Sequence, residues 1–395
     1  NDLIEFIKSI KPIGLVEKKI VRDETSRTTH IYDYIEYTSI NQVITSGFNI
    51  VDIDGSTQTM FINNIYGLDS SSRVVDTPYL FIAIGSATLI NRFTGDSIDY
   101  PNITDVLTGG RGDYRYIVLI PEIEGYEDRL ETIEKLNVIT KNPAGYPYTY
   151  KYNKYVVLDE LRLSLENNIL KQIIYDDRFR DLYLFIDGPI YYTPPLLYQL
   201  NEMHGIRDEL IKQYVEAWRT LVLERINILS KLMKEKNITV LGIVKRLNKS
   251  NVLSRIDPLG ISSRSMSDEA YLTVLSTIRY SDKKASPFIA GPLIYDPGLP
   301  YIDLPRKTIY YVGVPKRFSI DSLYRSFTFY RVEFIEGSST FIDPVIYDSV
   351  YSGSTLPLTI LIADSKSKKM TAAITNYIIR LAGLPSESTQ YYISF

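Results

Sequence analysis

Leu182-Tyr183-Leu184-Phe185-Ile186-Asp187-Gly188-Pro189 is an apolar run that ends in a carboxylate and a turn. A run of this length reads as a strand buried on both faces. The Gly-Pro that follows releases the chain at the edge of a sheet. An acid at that point is held by a rigid element. Phe48-Asn49-Ile50-Val51-Asp52-Ile53-Asp54-Gly55-Ser56 repeats the shape. Two strands that each end in Asp-Gly predict two carboxylates meeting at one end of one sheet. Such oxygen donors suit a hard divalent cation. An Asp before Gly is most often only a turn residue, so the expectation rests on the pair. Asp52 shares a strand face with Asp54 and reads as hydrogen-bonded support for it.

The flanking segments supply the rest of the fold. Residues 155–175 place Leu158, Leu161, Leu165, Ile169 and Ile173 at helical spacing. A helix there packs on the sheet, feeds the Asp187 strand and can point Glu166 at the strand's end. A longer helix over 206–236 carries Leu210, Tyr214, Trp218, Val222, Ile226, Leu229 and Met233 as its stripe. Ile238–Val244 is a further buried strand that closes in Lys245-Arg246. Strand, helix and strand over 182–244 are the unit of a parallel pair. Residues 48–54, 59–66 and 79–91 read as three early strands, the first two joined by a hairpin at Asp54-Gly55. Tyr310–Val314, Phe327–Ile335 and Phe341–Ile346 read as late strands, and residues 358–381 as the last helix.

The fold class is therefore α/β: a mixed sheet with an antiparallel edge, flanked by helices. Residues 1–47 read as an N-terminal helical segment. Residues 48–93 and 153–290 form the core, with the turn-rich stretch 94–152 inserted between them. Residues 291–395 form a C-terminal α+β part that completes the domain.

Composition narrows the chemistry. The 395 residues are 45% hydrophobic and 23% charged, ordinary for a soluble globular protein with a large core. No Cys is present, which excludes disulfides, thiolate zinc sites and cysteine nucleophiles. His30 and His204 are the only histidines, so histidine triads and metal sites are not expected. A net charge of −3 means that any polyanion must meet a local basic patch. The best patch is Lys231, Lys234, Lys236, Lys245, Arg246, Lys249 and Arg255, with a second at Lys366, Lys368 and Lys369. Gly109-Gly110-Arg111-Gly112 lacks the Lys-Ser/Thr ending of a phosphate-binding loop. No stretch approaches 18 uninterrupted apolar residues, and the expected location is cytoplasmic. The heavy use of Tyr, 33 residues, with no Cys hints at a thermophile.

Several motifs stand in a telling order. They are Ile53-Asp54-Gly55-Ser56, then Arg162 with Glu166, then Ile186-Asp187-Gly188, then Gly242-Ile243-Val244-Lys245. Tyr330-Arg331-Val332-Glu333-Phe334 and Gly353-Ser354-Thr355-Leu356-Pro357-Leu358, with Ala363-Asp364 beyond, complete the series. In this order the chain resembles the NurA family, archaeal nucleases that work with the hexameric HerA translocase in DNA end resection and double-strand break repair. The resemblance implies an RNase H-like core and a two-metal site using Mn²⁺ or Mg²⁺. It implies Asp54, Glu166 and Asp187 as metal ligands, Asp364 completing the shell, and Lys245 binding phosphate with Arg246 and Lys249 beside it. It further implies DNA as substrate, 5′–3′ exonuclease and single-strand endonuclease activity, and a ring-like homodimer. Family members can carry a Tyr and a His in the C-terminal motif, where this chain has Ser354 and no His. The alternative is thus a weakened or inactive DNA-clamp adaptor that regulates the translocase.

Overall fold

The structure is a computed structural model. It describes residue 5 and residues 43–45, 47–53, 62, 64–77, 80–108, 113–124, 137–193, 208–262, 266–282, 284–299, 302–316, 326–336 and 342–382. Most of the segment 1–47 expected to be helical, the Gly109–Gly112 turn and His204 lie outside these.

In chain order the strands are β1 (Val43–Ile44), β2 (Asn49–Asp52), β3 (Ile65–Asp76), β4 (Leu80–Asn91), β5 (Ser97–Tyr100) and β6 (Ile117–Pro121). Then come β7 (Tyr183–Asp187), β8 (Thr239–Val244), β9 (Phe288–Tyr295), β10 (Lys307–Pro315) and β11 (Phe327–Ile335). The helices are α1 (Ile103–Thr108), α2 (Lys154–Tyr175), α3 (Glu209–Lys236), α4 (Val252–Ile256), α5 (Asp268–Arg279), α6 (Asp343–Ile346) and α7 (Leu358–Ala382).

Among the described residues the strands join into one mixed sheet, in the order β1-β9-β10-β11-β8-β7-β3-β4-β5, with β2 on β9 and β6 on β4. β7 lies at its heart, parallel to both β3 and β8. Its apolar run is buried on both faces, as a parallel strand between helices must be. β3 and β4 form a long antiparallel hairpin, and β5 and β6 both pair with β4. Two strands of the stretch read as an insertion therefore belong to the sheet.

The two large flanking layers sit on opposite faces of β3. A Cβ at Gly67 would stand 2.8 Å from the Thr359 carbonyl of α7, so only a glycine lets that helix lie so close. Ser70, three residues on and so facing the other way, bonds Glu166 of α2. α3 packs on α2 and starts where Asp208 accepts bonds from the Leu210 and Ile211 amides. α7 is anchored at its start by Asp348, which accepts from the Thr359 amide (2.8 Å) and from Arg92 (2.6 Å). Hydroxyls hold its middle: Ser86 of β4 bonds the Ser367 carbonyl (3.0 Å) and the Thr371 hydroxyl (2.7 Å).

Three expectations change. Asn49–Asp52 pairs with β9, and among the described residues it makes no pairing with the next strand. That next strand, expected at 59–66, runs over Ile65–Asp76, because pairing with β4 carries it through a polar stretch that gives no apolar alternation. Phe341–Ile346, expected as a strand, contains helix α6, followed by a π-helical turn over Tyr347–Tyr351. Pro344 opens that helix, where a missing N–H costs nothing, whereas in a ladder it would break a bond.

Glu160 of α2 is buried, and Tyr148 and Tyr152 both donate to it at 2.7 Å. Burial pushes its carboxyl from an ordinary 4.5 up to about 8, against the pull of the two hydroxyls. A carboxyl that holds its proton more tightly when folded stabilises the fold fully below its unfolded value. That contribution is lost as pH climbs through the folded one. Glu160→Gln should therefore gain stability relative to the parent between about pH 5 and pH 8, by on the order of a few kcal/mol. Denaturant unfolding at both pH values measures it, and a pH-independent difference would contradict this account.

Candidate metal centre

Strand register brings the acids together. β3 and β7 run parallel with Leu68 opposite Ile186, so one residue further Asp69 lies beside Asp187. β7 and β8 are parallel with Asp187 opposite Ile243, so Lys245 emerges just past the same edge. Asp364 comes from the second turn of α7. One carboxylate oxygen from each of Asp69, Asp187 and Asp364 lies within 4.8 Å of the others. Lys245 Nζ sits 2.6 Å from Asp187 Oδ2 and 3.6 Å from Asp364 Oδ1.

Glu166 reaches the same cleft from the opposite face of the sheet. Ser70 donates to its Oε1 and Arg225 to its Oε2, both at 2.5 Å. Arg225 is fully buried and also donates to Asn167 (3.0 Å), so the guanidinium fixes the carboxylate's plane. Ser367 donates to Asp69 Oδ2 at 2.6 Å. The cleft encloses about 290 Å³, and Arg162, Arg246 and Lys368 stand among its walls.

Burial, then the neighbouring Asp187 charge, push the Asp69 carboxyl up to about 8. Burial also raises Asp187, against the opposing charge of Lys245. Burial pulls the Lys245 ammonium down, but Asp187, Asp364 and Asp69 together hold it above its ordinary range. Crowded acids that bind protons this readily are short of positive charge. Their oxygens offer a hard donor set for Mn²⁺ or Mg²⁺.

Of the residues expected at a site, Glu166, Asp187, Lys245, Arg246 and Asp364 line this one cleft. Lys249 is exposed and does not line it. Asp54 lies outside the described residues. β2, which precedes it, is separated from β7 by β9, β10, β11 and β8. Asp52 is bound by Arg279 (2.9 Å) and Tyr280 (2.6 Å) on that far arm. Lys236, expected in a basic patch, is buried on the Asp176 carbonyl and the Asp177 carboxylate.

Sequence reasoning missed Asp69. Ile65-Tyr66-Gly67-Leu68-Asp69-Ser70 has the same apolar-to-acid form as the Asp187 stretch. The signal was there, but the triple serine after Asp69 masks the strand in which it sits.

Manganese titration of the metal-free chain by calorimetry should show one consequence of these shifts. Affinity should fall roughly tenfold per unit as pH drops below about 8, because the cation must displace the Asp69 proton. Asp69→Asn, Asp187→Asn and Asp364→Asn should each weaken binding tenfold or more, and Asp54→Asn should not. Equal binding by Asp69→Asn would remove Asp69 from the site.

Comparison with known proteins comes last. The family model described as the NurA domain matches residues 63–368, a span that contains Asp69, Glu166, Asp187, Lys245 and Asp364 and begins after Asp54. No curated protein matches the chain in sequence. Among solved structures, the NurA nuclease from Sulfolobus solfataricus aligns over 88% of this chain and 89% of its own, at 14% identity and a TM-score of 0.39. A structure of NurA bound to dAMP and manganese aligns over 78% and 84%, at 11% identity and a TM-score of 0.38.

Proposed function

The chain belongs to the NurA family, and from that premise we propose that it is a metal-dependent nuclease that hydrolyses DNA phosphodiesters. The observation that carries the reading is the convergence of the Asp69, Asp187 and Asp364 oxygens within 4.8 Å. Glu166 faces the same cleft. Asp69, Asp187 and Asp364 would hold the cation, with Glu166 as the further carboxylate. Asp69 takes the place that the sequence motif alone gave to Asp54. A bound Mn²⁺ or Mg²⁺ supplies an activated water and charge neutralisation at the phosphorus.

The chain's own residues do the rest. Ser367 and Ser70 each occupy one oxygen of an acid, Asp69 and Glu166 respectively, and so fix how the carboxylates turn. Lys245 offers an ammonium to a phosphate oxygen at the cleft's edge. Arg162, Arg246 and Lys368 give the walls cations for the flanking phosphates, while the net charge of the chain stays at −3.

An RNase H-like core is the architectural reading. It is supported by five adjacent strands, β6-β4-β3-β7-β8, in which the first three are antiparallel and the last two run parallel to β3. The same family reading extends to 5′–3′ exonuclease and single-strand endonuclease activity, a homodimer, and a HerA-type translocase as partner in end resection.

Digestion of end-labelled single- and double-stranded DNA with Mn²⁺ tests the proposal. The native chain and Asp54→Asn should cut. Asp69→Asn and Asp187→Asn should lose at least a hundredfold in rate while melting no lower than the parent. No cutting by the native chain, alone or with a cognate translocase, would leave the DNA-clamp adaptor as the better account.

A further inference from the structure

Lys307, Arg331 and Glu333 are fully buried on β10 and β11, outside the acidic cleft. Burying three charges is costly, and an apolar trio of similar volume often serves stability as well or better. Their contacts suggest what they do instead. Glu333 pairs with Arg331 at 2.6 Å through one oxygen and with Lys307 at 3.0 Å through the other. The second oxygen also accepts the Ile190 amide at 3.2 Å. Lys307 Nζ donates to the Tyr191 carbonyl at 2.7 Å and lies 4.1 Å from the centre of the Tyr191 ring. Both backbone groups belong to the segment that leaves Asp187 through Gly188-Pro189.

Other contacts hold the same turn. The Gly188 amide donates to Ile243 of β8 at 2.9 Å. A Cβ on Gly242 would stand 2.7 Å from the Ile190 nitrogen, so the returning chain lies directly on β8. The Tyr191 hydroxyl donates to the Pro305 carbonyl. Gly188 and Tyr192, on either side of the clamped pair, line the cleft.

We infer that Glu333 and Lys307 are positioning residues: a buried ion pair that clamps the Ile190–Tyr191 backbone and so fixes the exit of Asp187 at the metal-binding edge. The inference rests on the reading of the cleft as a metal site. Neither side chain touches the cleft, so each acts through the turn. The arm formed by β9, β10 and β11 thereby takes part in the site without lining it.

Two variants test the clamp. Lys307→Met keeps the aliphatic stem and leaves Glu333 paired with Arg331. Glu333→Gln keeps an acceptor for Ile190 and removes the charge. Leu275→Ala, a buried change in α5, serves as a control for general destabilisation. Amide exchange followed by mass spectrometry reads the clamp without any metal, and manganese binding by calorimetry reads its consequence. We expect exchange over residues 188–192 to quicken tenfold or more in both variants, and manganese affinity to fall tenfold or more. Leu275→Ala should keep its manganese affinity even at an equal loss in melting temperature. Unchanged exchange would overturn the clamp. Faster exchange with unchanged manganese affinity would overturn its role at the site. A native chain that protects residues 188–192 but binds no manganese would overturn the metal reading itself, and the positioning role with it.

Discussion

Carboxylates crowded to within 4.8 Å repel one another, and the rest of the architecture works against that repulsion. A loop would relieve it by moving. Here Asp69 and Asp187 are fixed on neighbouring parallel strands whose register leaves no freedom to separate, and Asp364 is fixed on a helix pressed against the same sheet. Burial, and after it the repulsion that remains, makes Asp69 hold its proton tightly, and Lys245 is drawn in beside Asp187. A site strained in this way is prepared for a cation, because binding one relieves a penalty already present in the free protein.

The same logic governs the polar groups behind the acids. Arg225, Glu166 and Asn167 are buried together, as are Arg331, Glu333 and Lys307. Neither group is an economical way to stabilise a core. Each spends stability on direction: a guanidinium sets the plane of one carboxylate, and an ion pair sets the path of the backbone after another. Apolar packing in the core supplies the stability that makes this expenditure tolerable.

The central β7 strand, the two long helices and the last helix were legible from the sequence because burial on both faces or on one stripe imposes an unmistakable period. Asp187, Glu166, Lys245 and Asp364 were legible for the same reason, since each sits at a fixed place on such an element. Asp69 was not, because β3 is a strand by virtue of its neighbours: Ser70, Ser71 and Ser72 are polar, and only pairing with β4 makes them extended. The Asp54 motif has the local form of a strand-end acid, but local form carries no information about which strand lies next to it. β2 joins the far arm of the sheet, and that choice is made by long-range pairing alone.

The hydroxyl contacts under α7 have a consequence for the order of assembly. Methyl groups tolerate a slide of an ångström, but directed hydrogen bonds do not. Ser86 with Thr371, and Ser367 with Asp69, therefore index the helix along its axis. The second of these bonds spans 298 residues of sequence, so Asp364 reaches the cleft only when nearly the whole described chain has been made and docked. Chains grow from the N-terminus, and until then the sheet can carry Asp69 and Asp187 without their third acid. The full set of three acids is thus the last part of this cleft to be assembled, and an unfinished chain carries only two of them.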